Sequence, residues 1–94
     1  MYKPEPADTS DIVLPESLED LAELLAENVH EVWAQNRERE GWSYGESRSL
    51  SDKLTPCLVP YSELSETEKD YDRRTASETL KFIMKLGYKI TKDE

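Results

Sequence analysis

The fold is decided by Ala26-Glu27-Asn28-Val29-His30-Glu31-Val32-Trp33-Ala34-Gln35-Asn36-Arg37, the centre of a patterned stretch from Pro15 to Gly45. Leu18, Leu21, Ala22, Leu25, Val29, Val32 and Trp33 recur at offsets of three and four. That is the spacing of one face of an amphipathic helix. Pro15 suits a first helical turn, whose N–H groups have no intrahelical partner. Glu16, Glu19 and Asp20 place negative charge at the positive end of the helix dipole. The helix is predicted to run to about Arg39 and to stop at Gly41. Asn28 lies on one border of the apolar stripe, and His30, Trp33 and Arg37 lie on the other. A helix that needs only a core does not require that set.

Outward from this helix, the chain divides into short pieces. Residues 2–14 hold Pro4, Pro6 and the run Ile12-Val13-Leu14. They read as an extended N-terminal arm docked on the body, with a loose tail as the alternative. Gly41 and Gly45 bracket Trp42 and Tyr44, whose alternation would point both to one side of a short extended segment. Residues 46–53 read as a surface loop. Pro56-Cys57-Leu58-Val59-Pro60-Tyr61 is an apolar run fenced by prolines, suited to an edge strand or an extended crossing of the core. Cys57 inside it reads as a buried, inert thiol.

Ser65-Glu66-Thr67-Glu68 has the form of a capping box and predicts a second helix reaching about Leu86, with Gly87 as its C-terminal cap. Its inward stripe would be Ala76, Thr79, Leu80, Ile83 and Met84. Extended backward, that stripe meets Arg73, Asp72 and Lys69. Unpaired charges cost several kcal/mol each to bury, so these three must pair, reach solvent or line a cavity. Tyr88-Lys89-Ile90 alternates and predicts a short closing strand.

The expected fold class is therefore mainly α: two long amphipathic helices packed together, with an extended arm, irregular Gly- and Pro-bounded crossings and short β pieces. Ninety-four residues make one domain, 1–94, with an ordered core over 2–90 and a frayed tail over 91–94. The few residues outside the pattern and the opening Met1 suit a freestanding domain. Truncating Val32 or Leu80 to alanine is expected to cost about 2–4 kcal/mol each as core losses.

Composition narrows the function. The chain is 36% hydrophobic and 35% charged, with 21 acidic against 12 basic residues and a net charge of −9. Such a surface disfavours nucleic acid and anionic membrane, both of which reward positive charge. No apolar run approaches the roughly 20 residues that span a bilayer. One cysteine excludes an internal disulfide and multi-cysteine zinc sites. No secretory pattern opens the chain, so the expectation is a soluble, cytoplasmic protein.

Catalytic signatures are equally sparse. His30 is the sole histidine. There is no Gly-x-Ser-x-Gly elbow, no phosphate-binding Gly-rich loop and no convergent metal-ligand spacing. The expectation is a non-enzymatic protein with neither metal nor cofactor. A ligand groove is the sharper reading. Trp33 and Arg37 are one turn apart, so the guanidinium can lie over or beside the indole. That pair suits a flat aromatic or an anionic group, such as a nucleobase with its phosphate. Asp72 or Arg73, with Asn28, Trp42 or His30, would add directional contacts. Each also has a plain structural reading: Trp33 as core, Arg37 paired with an acid, Asn28 tying down a loop.

The ordered set Tyr2-x-Pro4-x-Pro6-x-Asp8-Thr9, Leu14-Pro15, Leu25 to Ala34, Gly41 to Gly45, Pro56 to Tyr61, Leu64, Glu68-Lys69, Glu78 to Lys81 and Gly87-Tyr88 resembles the RyR domain. This is the repeated module of ryanodine receptors, found also as single copies in bacterial proteins. The resemblance spans residues 2–90 and implies a compact module of two principal helices with short extended pieces. In ryanodine receptors the modules occur as cytosolic tandem pairs, one pair carrying a phosphorylated loop and another associated with adenine nucleotides. A single copy would complete any site between modules only as a homodimer or with another partner. The loop 46–55 lacks the basic run ahead of a serine that a kinase-regulated loop needs.

Two functions follow as expectations. In the first, Trp33 stacks on the base of an adenine-nucleotide-like ligand, Arg37 meets phosphate or ring edge, and Asp72 accepts from an amine or hydroxyl. In the second, the same patch is a protein-interaction or homodimerisation surface.

Overall fold

The structure, a computed structural model, describes residues 1–93. Helix α1 spans Glu16–Arg39 and helix α2 spans Glu66–Lys85. Between them lie the two-residue strands β1, Ser43–Tyr44, and β2, Leu54–Thr55, and a 3-10 turn over Tyr61–Glu63. The strands pair in parallel, Ser43 with Leu54 and Tyr44 with Thr55. The architecture is mainly α, with the two helices packed on each other.

Both helices stop as the glycines predict. At the end of α1 the Gly41 N–H bonds to the Glu38 carbonyl and the Trp42 N–H to that of Arg37. At the end of α2, Gly87 and Tyr88 repeat the pattern on Met84 and Ile83. These paired bonds are the Schellman closure, which needs a left-handed residue; Gly41 and Gly87 supply φ of 91° and 97°. The Lys53 ammonium then donates to the Glu40 carbonyl at 2.7 Å, pinning the 46–53 loop to the negative end of α1. At the start of α2 the Ser65 hydroxyl accepts from the Glu68 N–H, the Ser65 half of the capping box, and Glu68 lines a cavity described below.

The buried seam is rotated from the one the apolar pattern marks. Ala22, Ala26 and His30, spaced by four, are the buried positions of α1, and Ala76 and Leu80 are those of α2. Ala26, Tyr61 and Ala76 pack as one cluster, flanked by Leu25 and Leu64. Alanines let the helix backbones approach closely. The larger residues Leu18, Leu21, Leu25 and Val29 are only half-buried, and Val32 is 50% exposed. Val32 is therefore not a core residue. Thr79 is also exposed, its hydroxyl donating to the Thr75 carbonyl one turn back.

Other expectations need correction. The arm docks through Thr9, which is buried and donates to Glu78 at 2.7 Å, and through Lys85, which reaches Asp11. Tyr2 and Val13, however, face solvent. The strand near the prolines falls on Leu54–Thr55, and 56–60 is an irregular crossing. Cys57 is half-buried rather than buried. Residues 88–90 form no strand, because the Schellman bond of Tyr88 commits them to ending α2. Of the expected tail, 91–93 are exposed and Glu94 lies outside the described residues.

Candidate functional site

The one histidine is the pivot. His30 is 4% exposed, and its Nε2 lies 2.7 Å from the Val59 carbonyl. A carbonyl only accepts, so Nε2 carries the proton. In the neutral ring Nδ1 is then a lone pair, and it faces Asp72 Oδ2 at 4.0 Å. Burial raises the Asp72 carboxyl above its ordinary range, His30 opposes that, and Glu68 reinforces it. At 4.0 Å the two atoms are too far apart for a direct hydrogen bond, which leaves a gap between two polar groups at the cavity.

Aromatic rings and cations build a column along this side of α1. His30 stacks on Trp33 with centroids 5.5 Å apart and planes at 26°, and Tyr61 lies tilted at 6.3 Å from His30. Arg37 lies over Trp33 at 5.7 Å and over Trp42 at 5.1 Å, so it bridges the two indoles. Lys69 sits over Tyr61 at 5.7 Å. Trp42 is placed by the Schellman bond to Arg37, so the turn that ends α1 also delivers the second indole. Arg37 is also within 3.3 Å of Glu40 at the surface.

Beside the column is a cavity of about 250 Å³ lined by His30, Trp33, Arg48, Cys57, Leu64, Glu68, Tyr71 and Asp72. It is small against the roughly 300–1,000 Å³ typical of ligand pockets, enough for part of a ligand rather than a whole nucleotide. The Arg48 guanidinium reaches the Cys57 sulfur at 3.7 Å on its rim.

The predicted site residues are thus divided. Trp33, His30 and Asp72 share the cavity. Arg37 and Trp42 do not line it, Arg37 reaching it only through Trp33 and Trp42 lining a separate groove with Tyr44, Leu58 and Val59. Asn28 is exposed and lines a separate shallow groove on the outer face of α1. Arg73 binds Glu23 of α1 at 2.8 Å, Glu66 at 2.8 Å and Asp70 at 3.0 Å, a helix-to-helix clasp rather than a free cation. Arg73 holds the Glu23 and Glu66 carboxyls below their usual range. Glu23 also accepts from the Tyr61 hydroxyl, whose own ionisation burial pushes up. The three odd charges of α2 are therefore accounted for: Lys69 and Arg73 are paired, and Asp72 lines the cavity.

Arg48, Glu68 and Tyr71 line the cavity but are not among the candidate site residues of the sequence; Glu68 enters there as part of the Ser65 capping box. Glu68 was findable, because it precedes Asp72 by one turn and must share its face. Arg48 comes from the irregular loop, and no periodic signal marks it. No group of His, Cys, Asp and Glu among the described residues is placed to hold a metal ion, and no described helix is long and apolar enough to cross a membrane.

Fold and site together define a small, mainly α module with an aromatic-walled cavity bounded by its two helices and the connecting segment. The family model of the RyR domain matches residues 2–92. The chain belongs to the RyR domain family.

Proposed function

We propose that this chain is a non-enzymatic binding module whose ligand is adenine-nucleotide-like and sits at the Trp33–Arg37 turn. The observation that supports this is the convergence of the Trp33 indole, Asp72 and the His30 Nδ1 on one cavity, with Arg37 and Arg48 at its sides. In this reading an amino group of the base enters between Asp72 and Nδ1, which offer acceptors to its two N–H groups. The base borders Trp33, and a guanidinium meets the phosphate outside the cavity. Because His30 and Arg37 already lie against the indole, Arg37 gives way as the base arrives. Catalysis is not part of the reading. His30 commits its Nε2 proton to a backbone carbonyl, and the Cys57 thiol neighbours Arg48 rather than a base.

Calorimetric titration with ATP, ADP-ribose and cyclic AMP tests the proposal. Saturable heat that Asp72→Ala and Trp33→Ala abolish is expected, and no heat at millimolar ligand overturns it. The alternative is a protein-interaction or homodimerisation domain without a small-molecule ligand. It is favoured by Tyr44, exposed beside Trp42 along a groove shared with Leu58, Val59 and Pro60. Mass from light scattering across concentration separates a dimer from a monomer.

A further inference from the structure

The outer face of α1 carries a second row that neither the core nor the cavity uses. Leu21, Leu24, Asn28, Val32 and Gln35 are spaced by three and four and so share one side of the helix. Leu24 is 65% exposed and Val32 50%, and Leu21 is half-buried. The arm does not reach this side; it crosses α1 near Glu19, Ala22 and Glu23. Asp20, Glu27, Glu31 and Glu38, all exposed, form a parallel acidic row at offsets of seven, four and seven. Val32 and Asn28 line a shallow groove walled by Glu31 and Glu38.

We propose that this face docks a basic amphipathic helix of a partner protein. Leu21, Leu24 and Val32 would receive its apolar stripe. Lysines or arginines on its flank would meet the acidic row, and Asn28 and Gln35, the two polar residues of the row, would set register. The charge pattern selects the partner. A second copy of this chain brings another −9 and an identical acidic row, which repel, whereas a basic helix is attracted. Arg39, four residues beyond Gln35, closes the row and disfavours a basic residue at that end of the partner. The proposal does not depend on the nucleotide reading, because the cavity lies on the other side of α1.

The test is fluorescence anisotropy with a designed helical peptide carrying leucines at three-four spacing and lysines on one flank. A scrambled peptide of the same composition is the control. The designed peptide is expected to bind at least tenfold tighter than the scramble, with binding weakened by salt. Leu24→Asp and Val32→Asp should each weaken it about tenfold, and Glu31→Lys with Glu38→Lys should remove most of the salt dependence. Circular dichroism keeps the variants honest, since these surface changes should leave the fold intact. Equal binding of the scramble, or none at millimolar peptide, overturns the proposal. So does a dimer of the chain itself that Leu24→Asp dissociates.

Discussion

His30 donates its Nε2 proton to the Val59 carbonyl at 2.7 Å and thereby turns Nδ1 toward the Asp72 carboxylate, 4.0 Å away. The hydrogen bond joins α1 to the 56–60 crossing, and the open gap lies at the cavity. One residue thus serves the fold with one nitrogen and the candidate site with the other.

Asp72→Asn should stabilise the protein at neutral pH. Burial raises the Asp72 carboxyl in the folded state, so folding favours its protonated form. That contribution is fully present below the unfolded value of about 3.9 and is lost as pH rises through the folded value. An asparagine does not titrate, so its advantage should be largest near pH 7 and shrink toward about pH 3. Thermal melts of both proteins across that range check it. An asparagine variant less stable at neutral pH would mean that the folded state stabilises the carboxylate, and would overturn this reading.

The Arg73 clasp should respond in the opposite sense. Arg73 depresses Glu23 and Glu66, so their contribution is present above the unfolded carboxylate value and fades as pH falls through the folded one. The groups are largely solvated, so the network contributes only modestly. Arg73→Ala should therefore lower the melting temperature by a few degrees at most at neutral pH. It should also flatten the acid limb of the stability curve, and added salt should narrow its difference from the parent.

Leu80→Ala should cost about 2–4 kcal/mol, whereas Val32→Ala should stay within about 0.5 kcal/mol. Leu80 is 4% exposed in the seam between the helices, and Val32 is on the outer face. Urea unfolding of the two variants measures how far the true seam is turned from the apolar stripe. Similar losses would place Val32 in the core after all.

That pair also shows how much was legible in the sequence. Helix existence, both glycine stops and the Ser65 cap follow from local chemistry, and all are present. The orientation of α1 does not follow, because hydrophobicity weights Leu and Val above Ala. Close helix approach instead selects Ala22, Ala26 and Ala76, and a histidine enters the seam because a backbone carbonyl satisfies it. Tyr88-Lys89-Ile90 alternates like a strand but has no neighbour to pair with once Tyr88 closes α2. For the site, Trp33, Arg37 and Trp42 come together because the helix and its Schellman turn link them locally. Asn28 and Arg73 do not join them: which side of a helix is covered, and which acids clasp an arginine, depend on distant elements.

Arg37→Ala should leave the fold nearly intact yet alter both indoles. The guanidinium lies 5.7 Å from the Trp33 centroid and 5.1 Å from that of Trp42, and its Glu40 partner is exposed. Contacts of this kind contribute about 0.5–1 kcal/mol each at exposed sites, so the loss should be about 1 kcal/mol. Removing the cation changes the field at both rings and opens them to water, so tryptophan emission should shift and acrylamide quenching should rise. Arg37→Lys separates charge from shape: an ammonium keeps the charge but has no plane to lie along two rings at once. Emission restored by lysine would show that charge alone sets the environment. Emission that stays shifted would show that the flat guanidinium holds Trp42 against α1. A loss matching that of Leu80→Ala would make Arg37 part of the core and remove it from the candidate site.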